Sequence, residues 1–250
     1  MTTRPAPGVM PPVISIHDLR TRCSNCSMRE LCLPYDLEPA DLQRLDQLIA
    51  TRQRLKKGEI LYRVGDPFTG LYAVRLGSTM TTVLAEDGRE QVCGYHLPGD
   101  LFGLDGVDGG EHKVQSVALE DSEVCALPLE RIEELARHVP TLQHNLHRFL
   151  SRELDRDHNI MLLLGSMRAE ERLATFLLNL AHRYRIRGYS STEFVLRMTR
   201  EEIGSFLGLK LETVSRLFSR FQQEGLIQAQ GRAVKLLDVA ALRQLAGQRC

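Results

Sequence analysis

Three cysteines, Cys23, Cys26 and Cys32, fall within ten residues in a C-x2-C-x5-C pattern. Thiolates held this close repel one another, and a bound cation relieves the repulsion. Thiolate sulfur is a soft ligand that suits zinc and iron–sulfur clusters. The sequence shows no signal-peptide pattern and no apolar run long enough to span a membrane. The expected setting is therefore the cytoplasm, where thiols stay reduced and clustered cysteines point to metal or redox chemistry rather than to structural disulfides. Both metal chemistries call for a fourth ligand, and Cys93, Cys125 and Cys250 are the remaining cysteines. Spacing alone fits tetrahedral zinc and a four-thiolate cluster equally well.

A second constellation lies near the C-terminus. Thr199-Arg200-Glu201-Glu202 has the capping-box form of a helix start. The helix it opens carries Ile203, Phe206 and Leu207 and stops at Gly208. A second helix begins near Leu211, with Val214, Leu217, Phe218 and Phe221 on one face. Two short amphipathic helices joined through a Gly turn form a helix-turn-helix. The opposite face of the second helix carries Glu212, Ser215, Arg216, Ser219 and Arg220. Glu212, Ser215 and Arg216 lie near its N-terminal end, where a recognition helix reaches base edges. Arg216 suits guanine, Glu212 a cytosine amino group, and Ser215 a base or phosphate. Ser219 and Arg220 are better placed for phosphates. Gln228 to Leu236, with Gly231 between two short runs, reads as a β-hairpin wing.

Other elements must position these two groups. Residues 1–21 hold four prolines and no apolar periodicity, which predicts a mobile tail. Leu42, Leu45, Leu48 and Ile49 predict a short helix from Asp41 to Ala50. From Lys57 to about Pro128, runs such as Ile60–Tyr62, Leu71–Val74, Thr81–Leu84 and Val114–Leu119 alternate with Gly, Pro and Asp turns. That pattern predicts a sandwich or jelly roll. Glu130 to Arg137 predicts a short helix, and Pro140 opens a long one that runs to about Met167. Leu150, Leu154, Asp157, Met161 and Leu164 follow it at steps of 4, 3, 4 and 3, a heptad seam that predicts a dimer interface. Asp157 on that seam faces or nearly faces its own copy, and two like charges there would keep the dimer weak. Glu170 to Arg183 predicts a further helix, and Phe194–Leu196 a short strand.

Composition agrees with a globular chain of two domains: 250 residues, 43% hydrophobic, 26% charged and a net charge of zero. The charge is unevenly placed. Residues 168–250 hold 14 Lys/Arg against 8 Asp/Glu, and the remainder is acidic by the same margin. A basic back end suits a polyanion. No nucleophile–base constellation is present, and His138, His144, His147 and His158 are scattered along a helical stretch, so the chain is not expected to be an enzyme.

These parts together resemble the CRP/FNR family of transcription regulators, and within it the oxygen-sensing iron–sulfur branch. The resemblance runs from about Arg22 to Gly247. It is carried by the cysteine run ending in Leu31-Cys32-Leu33-Pro34, by Gly94 to Asp100 (GYHLPGD), by Ala169 to Ala174 (AEERLA) and by Leu211 to Arg216 (LETVSR). It implies an α+β architecture: a cyclic-nucleotide-binding-like β-roll sensor domain (22–139, including the cysteine segment), a dimerisation helix (140–167) and a winged helix-turn-helix (168–250). It implies an oxygen-labile [4Fe–4S] cluster on Cys23, Cys26, Cys32 and Cys125. Cys93 ranks lower because a Cys in a strand usually acts as a small hydrophobe, and Cys250 is a bystander. Around the cluster, Arg22 and Arg29 would offset charge, Leu31 would shield it and Ser27 would tune its attack by oxygen. The resemblance further implies a homodimer on palindromic DNA with TTGAT-like half-sites, control of anaerobic genes, and contact of Glu86–Arg89 with RNA polymerase. Cyclic nucleotide is not expected, because Val114 and Gln115 stand where the nucleotide-binding branch has Arg and Ser or Thr. Lys210 departs from the family pattern, in which Thr or Ser caps the recognition helix. The alternative is a regulator of the same fold with structural zinc or a thiol switch.

Overall fold

The computed structural model describes residues 22–49, 51–84, 88 and 90–247. The expected tail at 1–21, the loop residues Glu86, Asp87 and Arg89, and Cys250 lie outside the described residues. Two short 3-10 turns, Cys23–Asn25 and Arg29–Leu31, carry the cysteine run and lead into α1 (Pro39–Leu48). Eight strands follow: β1 (Thr51–Leu55), β2 (Ile60–Tyr62), β3 (Leu71–Leu76), β4 (Thr79–Leu84), β5 (Glu90–His96), β6 (Leu101–Phe102), β7 (Gln115–Ala118) and β8 (Ser122–Leu127). They pair antiparallel into two four-stranded sheets, β1-β8-β3-β6 and β2-β7-β4-β5. Leu55, Tyr72, Val74, Phe102, Ala118 and Val124 form a buried core within this roll. The short alternating runs of the sequence are the strands of this jelly roll.

Helices α2 (Leu129–Ala136) and α3 (Pro140–Ser166) come next. Pro140 opens α3 at a position where a missing N–H costs nothing. At 27 residues α3 is about 40 Å long. Its first turns bury Leu142 and Phe149 against Leu33, Leu45, Leu71 and Ile132, which ties the cysteine segment, α1 and α2 to the roll. The C-terminal part holds α4 (Ala169–Arg185), β9 (Glu193–Val195), α5 (Arg200–Leu207), α6 (Leu211–Gln223), β10 (Ile227–Gln230), β11 (Ala233–Leu236) and α7 (Val239–Leu245). Strands β10, β11 and β9 form a small antiparallel sheet, so the expected wing is present with a third strand. Helix α7 has no counterpart in the sequence reading. It is seven residues long, too short for a legible period, and is started by Asp238, whose carboxylate accepts from Ala241 N at 2.8 Å.

Two arginines join α4 to the roll. Arg183 and Arg187 each meet one oxygen of Asp100 at 2.5 Å. Arg183 also donates to Tyr95 O (2.7 Å), and Arg187 to Pro98 O (2.6 Å). The Arg187 side chain is 1% exposed. Burial by itself would raise the Asp100 pKa, but Arg183, Arg187 and Arg156 outweigh it and hold the carboxyl well below its usual range. Its contribution to stability is therefore present above the unfolded carboxylate value near 4 and is lost as pH falls below it. Asp100→Asn leaves two guanidiniums without their counter-charge and is expected to cost about 3–5 kcal/mol. Urea unfolding followed from neutral pH to pH 3 checks both parts, since the variant should be less stable at pH 7 and lose less below pH 4.

Candidate metal centre and nucleic-acid interface

Cys23, Cys26 and Cys32 come from the two 3-10 turns, and Cys125 from the middle of β8. All four line one cavity, walled otherwise by residues such as Met28, Leu45, Val74 and Leu127. Cys125 is brought there by strand pairing: Ala73 of β3 and Arg52 of β1 lie opposite it. Cys93 stands elsewhere on β5, its thiol against Thr81 O (3.4 Å) and Thr81 Oγ1 (3.5 Å). Burial pushes the Cys32 thiol up to about 12, and the neighbouring cysteine sulfurs add to the rise. Burial likewise raises Cys23, with Cys32, Asp46, Cys125 and Cys26 reinforcing it. Cys125 is raised by burial, and Arg52 opposes that rise. Burial thus makes negative charge costly at Cys23, Cys32 and Cys125, and a bound cation would offset that cost.

Asp46 of α1 anchors the start of the cysteine segment. Its carboxylate accepts from the Cys23 backbone N–H, and from Ser24 Oγ at 3.0 Å. At the other end the buried Asn145 of α3 donates to Leu33 O (3.0 Å) and Tyr35 O (2.6 Å). Neither residue carries a motif, and both contacts are long-range, so the sequence held no signal for them. Leu31 packs on Gly99, whose backbone has φ +91° and would place an added Cβ 2.9 Å from Leu31 Cβ. Arg22 is exposed at the rim of a neighbouring opening onto Cys23, Cys26 and Cys125. Arg29 lines the cavity and pairs with Glu30 at 3.1 Å, and Ser27 is exposed.

Helix α5 begins with the capping box read in the sequence: Thr199 Oγ1 accepts from Glu202 N, and the Glu202 carboxylate accepts from Thr199 N. Gly208 ends it with φ +63°, the left-handed conformation that a helix C-cap needs. Gly204 permits the tight turn, since a Cβ there would lie 2.6 Å from Leu209 O. Helix α6 buries Val214, Leu217, Phe218 and Phe221 and leaves Glu212, Ser215, Arg216, Ser219 and Arg220 exposed on one side. Arg220 is engaged by Glu224 and Glu170, each at 2.7 Å. Such exposed pairs are worth little and can exchange for phosphate.

Arg172 lies in the AEERLA run in the first turn of α4. Its guanidinium donates to Leu164 O (2.8 Å), Met167 O (2.9 Å) and Leu207 O (2.9 Å). It stitches the end of α3 to α4 and to the C-terminus of α5, where a cation meets the negative end of the helix dipole. On α3, Leu150, Leu154, Asp157 and Met161 are exposed, as is Leu162. Leu164 is half-buried and packs within its own chain, close to Gly208.

Comparison with known proteins agrees with this architecture. A family profile for the cyclic nucleotide-binding domain matches residues 52–138, and one for the Crp-like helix-turn-helix domain matches residues 171–245. The chain is 49% identical to the transcriptional regulatory protein btr of Bordetella pertussis, over 90% of this chain and 93% of that protein. It is 41% identical to the fumarate and nitrate reduction regulatory protein of Escherichia coli K12, over 90% of each. The chain belongs to the CRP/FNR family of transcription regulators. The solved structure of FixK2 from Bradyrhizobium japonicum has the same fold, with a TM-score of 0.73 and 34% identity over 79% of this chain and 98% of that one. CRP/FNR members are regulators rather than enzymes, and this chain is a transcription regulator with a DNA-binding helix-turn-helix. Among the described residues no helix is long and apolar enough to cross a membrane.

Lys210 is the N-cap of α6 and makes no side-chain cap bond. Replacing it with Thr supplies the missing acceptor and is expected to raise stability by about 1 kcal/mol. Thermal unfolding of Lys210→Thr beside the parent protein measures this, and an unchanged midpoint would mean that the first turn of α6 already has its N–H groups satisfied.

Proposed function

We propose that this regulator is oxygen-responsive: it acts in the cytoplasm, binds palindromic DNA as a homodimer while a [4Fe–4S] cluster is held by Cys23, Cys26, Cys32 and Cys125, and controls genes of anaerobic metabolism. The observation that carries this reading is the shared cavity of those four cysteines. Four thiolates suit either a [4Fe–4S] cluster or tetrahedral zinc, and the 41% identity to the fumarate and nitrate reduction regulatory protein supports the cluster. When bound, the cluster supplies the reactivity toward oxygen. The cysteine segment has no fully buried residue in either 3-10 turn, so its order depends on its two anchors and on what the four sulfurs share.

The chain offers a route from that segment to DNA. Leu31 rests on Gly99, and the next residue, Asp100, holds Arg183 and Arg187 of α4. Helix α4 leads into α5 and the recognition helix α6 through Arg172. Coupling of about 1–3 kcal/mol along such a path suffices for a regulatory response. The exposed apolar stripe Leu150, Leu154, Met161 and Leu162 supports dimerisation through α3, the segment we take as 140–167 between a sensor at 22–139 and a DNA-binding unit at 168–250. A two-fold dimer would place its recognition helices on half-sites about one helical turn apart, for which family likeness suggests TTGAT-like sequences. In this reading Arg216, Glu212 and Ser215 read bases, and Ser219 and Arg220 hold phosphates; their exposure on one side of α6 supports it. Cyclic nucleotide plays no part in this reading, because Val114 and Gln115 offer no guanidinium for its phosphate. RNA polymerase contact through Glu86–Arg89 rests on family analogy.

Iron and acid-labile sulfide after strictly anaerobic purification are expected near four each per chain, with a visible spectrum that collapses in air together with DNA affinity. One zinc, no sulfide and indifference to air would remove the oxygen switch and leave the DNA-binding assignment standing. Asp157→Ala is expected to shift the cluster-free protein toward dimer in sedimentation, by up to several kcal/mol of relieved like-charge burial. An unchanged monomer fraction would mean that Asp157 does not face its copy.

A further inference from the structure

Strand β8 carries Glu123 two residues before Cys125, so both side chains stand on the same face. Three arginines from the two flanking strands surround that glutamate. Arg52 of β1 lies opposite Cys125 and approaches Glu123 at 3.7 Å; Arg54 lies opposite Glu123 at 3.8 Å; Arg75 of β3, at a bulge in the pairing, hydrogen-bonds to it. The Glu123 side chain is 12% exposed, and those of Arg52 and Arg75 are 27% and 21%. Arg52 and Arg75 also wall the opening onto Cys23, Cys26 and Cys125, whereas Arg54 does not and is 83% exposed. Around this opening Arg22, Arg52 and Arg75 stand against the carboxylates of Asp46 and Glu123, which leaves one formal positive charge beside the sulfurs. That charge is permanent, because arginine does not deprotonate in proteins.

We propose that Glu123 is a positioning residue that fixes Arg52 and Arg75 as a cationic wall of the cysteine cavity, where they offset the negative charge of the four-thiolate ligand set and hold its bound group in the more reduced range. This rests on reading the cavity as a cluster site. A purely structural ion network would change stability when broken and leave the bound group's redox behaviour unmoved. A cationic wall makes loss of an electron harder, so removing one charge lowers the midpoint potential.

The test uses the full-length protein, reconstituted anaerobically with iron and sulfide, as parent and as Arg52→Gln, Arg75→Gln, Arg54→Gln, Arg52→Lys and Glu123→Gln. The one-electron midpoint potential and the rate of spectral loss in air are read in each. Arg52→Gln and Arg75→Gln should each weaken the one-electron reduction equilibrium by about tenfold, which is about 59 mV, and lose the spectrum faster in air. Arg54→Gln should match the parent, and Arg52→Lys should recover most of the shift. Glu123→Gln should lower the potential as the arginine variants do, although it removes a negative charge, because both arginines then swing toward solvent. A rise in Glu123→Gln would mean that Glu123 acts only as a charge, which overturns its positioning role. Potentials unchanged in both inner-arginine variants, with only the melting temperature moved, would overturn the wall itself. A parent protein that takes up no sulfide sinks the cluster reading and this inference together, an outcome distinct from either.

Discussion

The carboxylate of Asp100 sits where the roll, α3 and α4 meet. Taking it out of water is expensive, and the expense is offset because Arg183 and Arg187 approach from α4 while Arg156 of α3 adds its field. The backbone around it is committed as well: Arg187 and Arg183 take the carbonyls of Pro98 and Tyr95, and Asp100 itself accepts from Leu97 N at 2.7 Å. A turn held this way has few alternative arrangements. One residue earlier, Gly99 lies under Leu31 of the cysteine segment.

The cysteine segment is built in the opposite manner. Its two short turns bury no residue fully, and its firm ties lie at its ends, through Asp46 to Cys23 and Ser24 and through Asn145 to Leu33 and Tyr35. Segments with few buried contacts open at low free energy. The chain thus joins a loosely held cysteine strip to a tightly held junction. Under the proposed reading, the order of the strip follows what its sulfurs bind. The arginines around Glu123 belong to the same electrostatic picture, because they sit on rigid strands while three of the four cysteines do not.

Much of this was legible from the sequence because it is local. The C-x2-C-x5-C run, the Thr199–Glu202 capping box, the stop at Gly208 and the amphipathic face of α6 each depend on residues within a few positions of one another. Spacing and turn chemistry report such features directly. The jelly roll was readable for a related reason, since short runs punctuated by Gly and Pro leave few other ways to bury a core. Helix α7 was missed because seven residues do not establish a period. Leu164 lies on the heptad seam and is also half-buried near Gly208 in its own chain, a contact that heptad spacing does not report.

By itself, then, the sequence determined the kinds of element, the candidate ligands of the N-terminal run and the exposed polar face of α6. Tertiary structure decided which remaining cysteine joins the run: Cys125 enters the cavity, and Cys93 stands against Thr81. It also decided that Arg52 and Arg75, each in contact with Glu123, border the sulfurs, and that Asp100 links the roll to α4. The physical reason is common to all three. Each is a contact between residues tens of positions apart, brought together by strand pairing or helix docking. Composition and local periodicity contain no term for which distant side chains end up on the same face of a sheet.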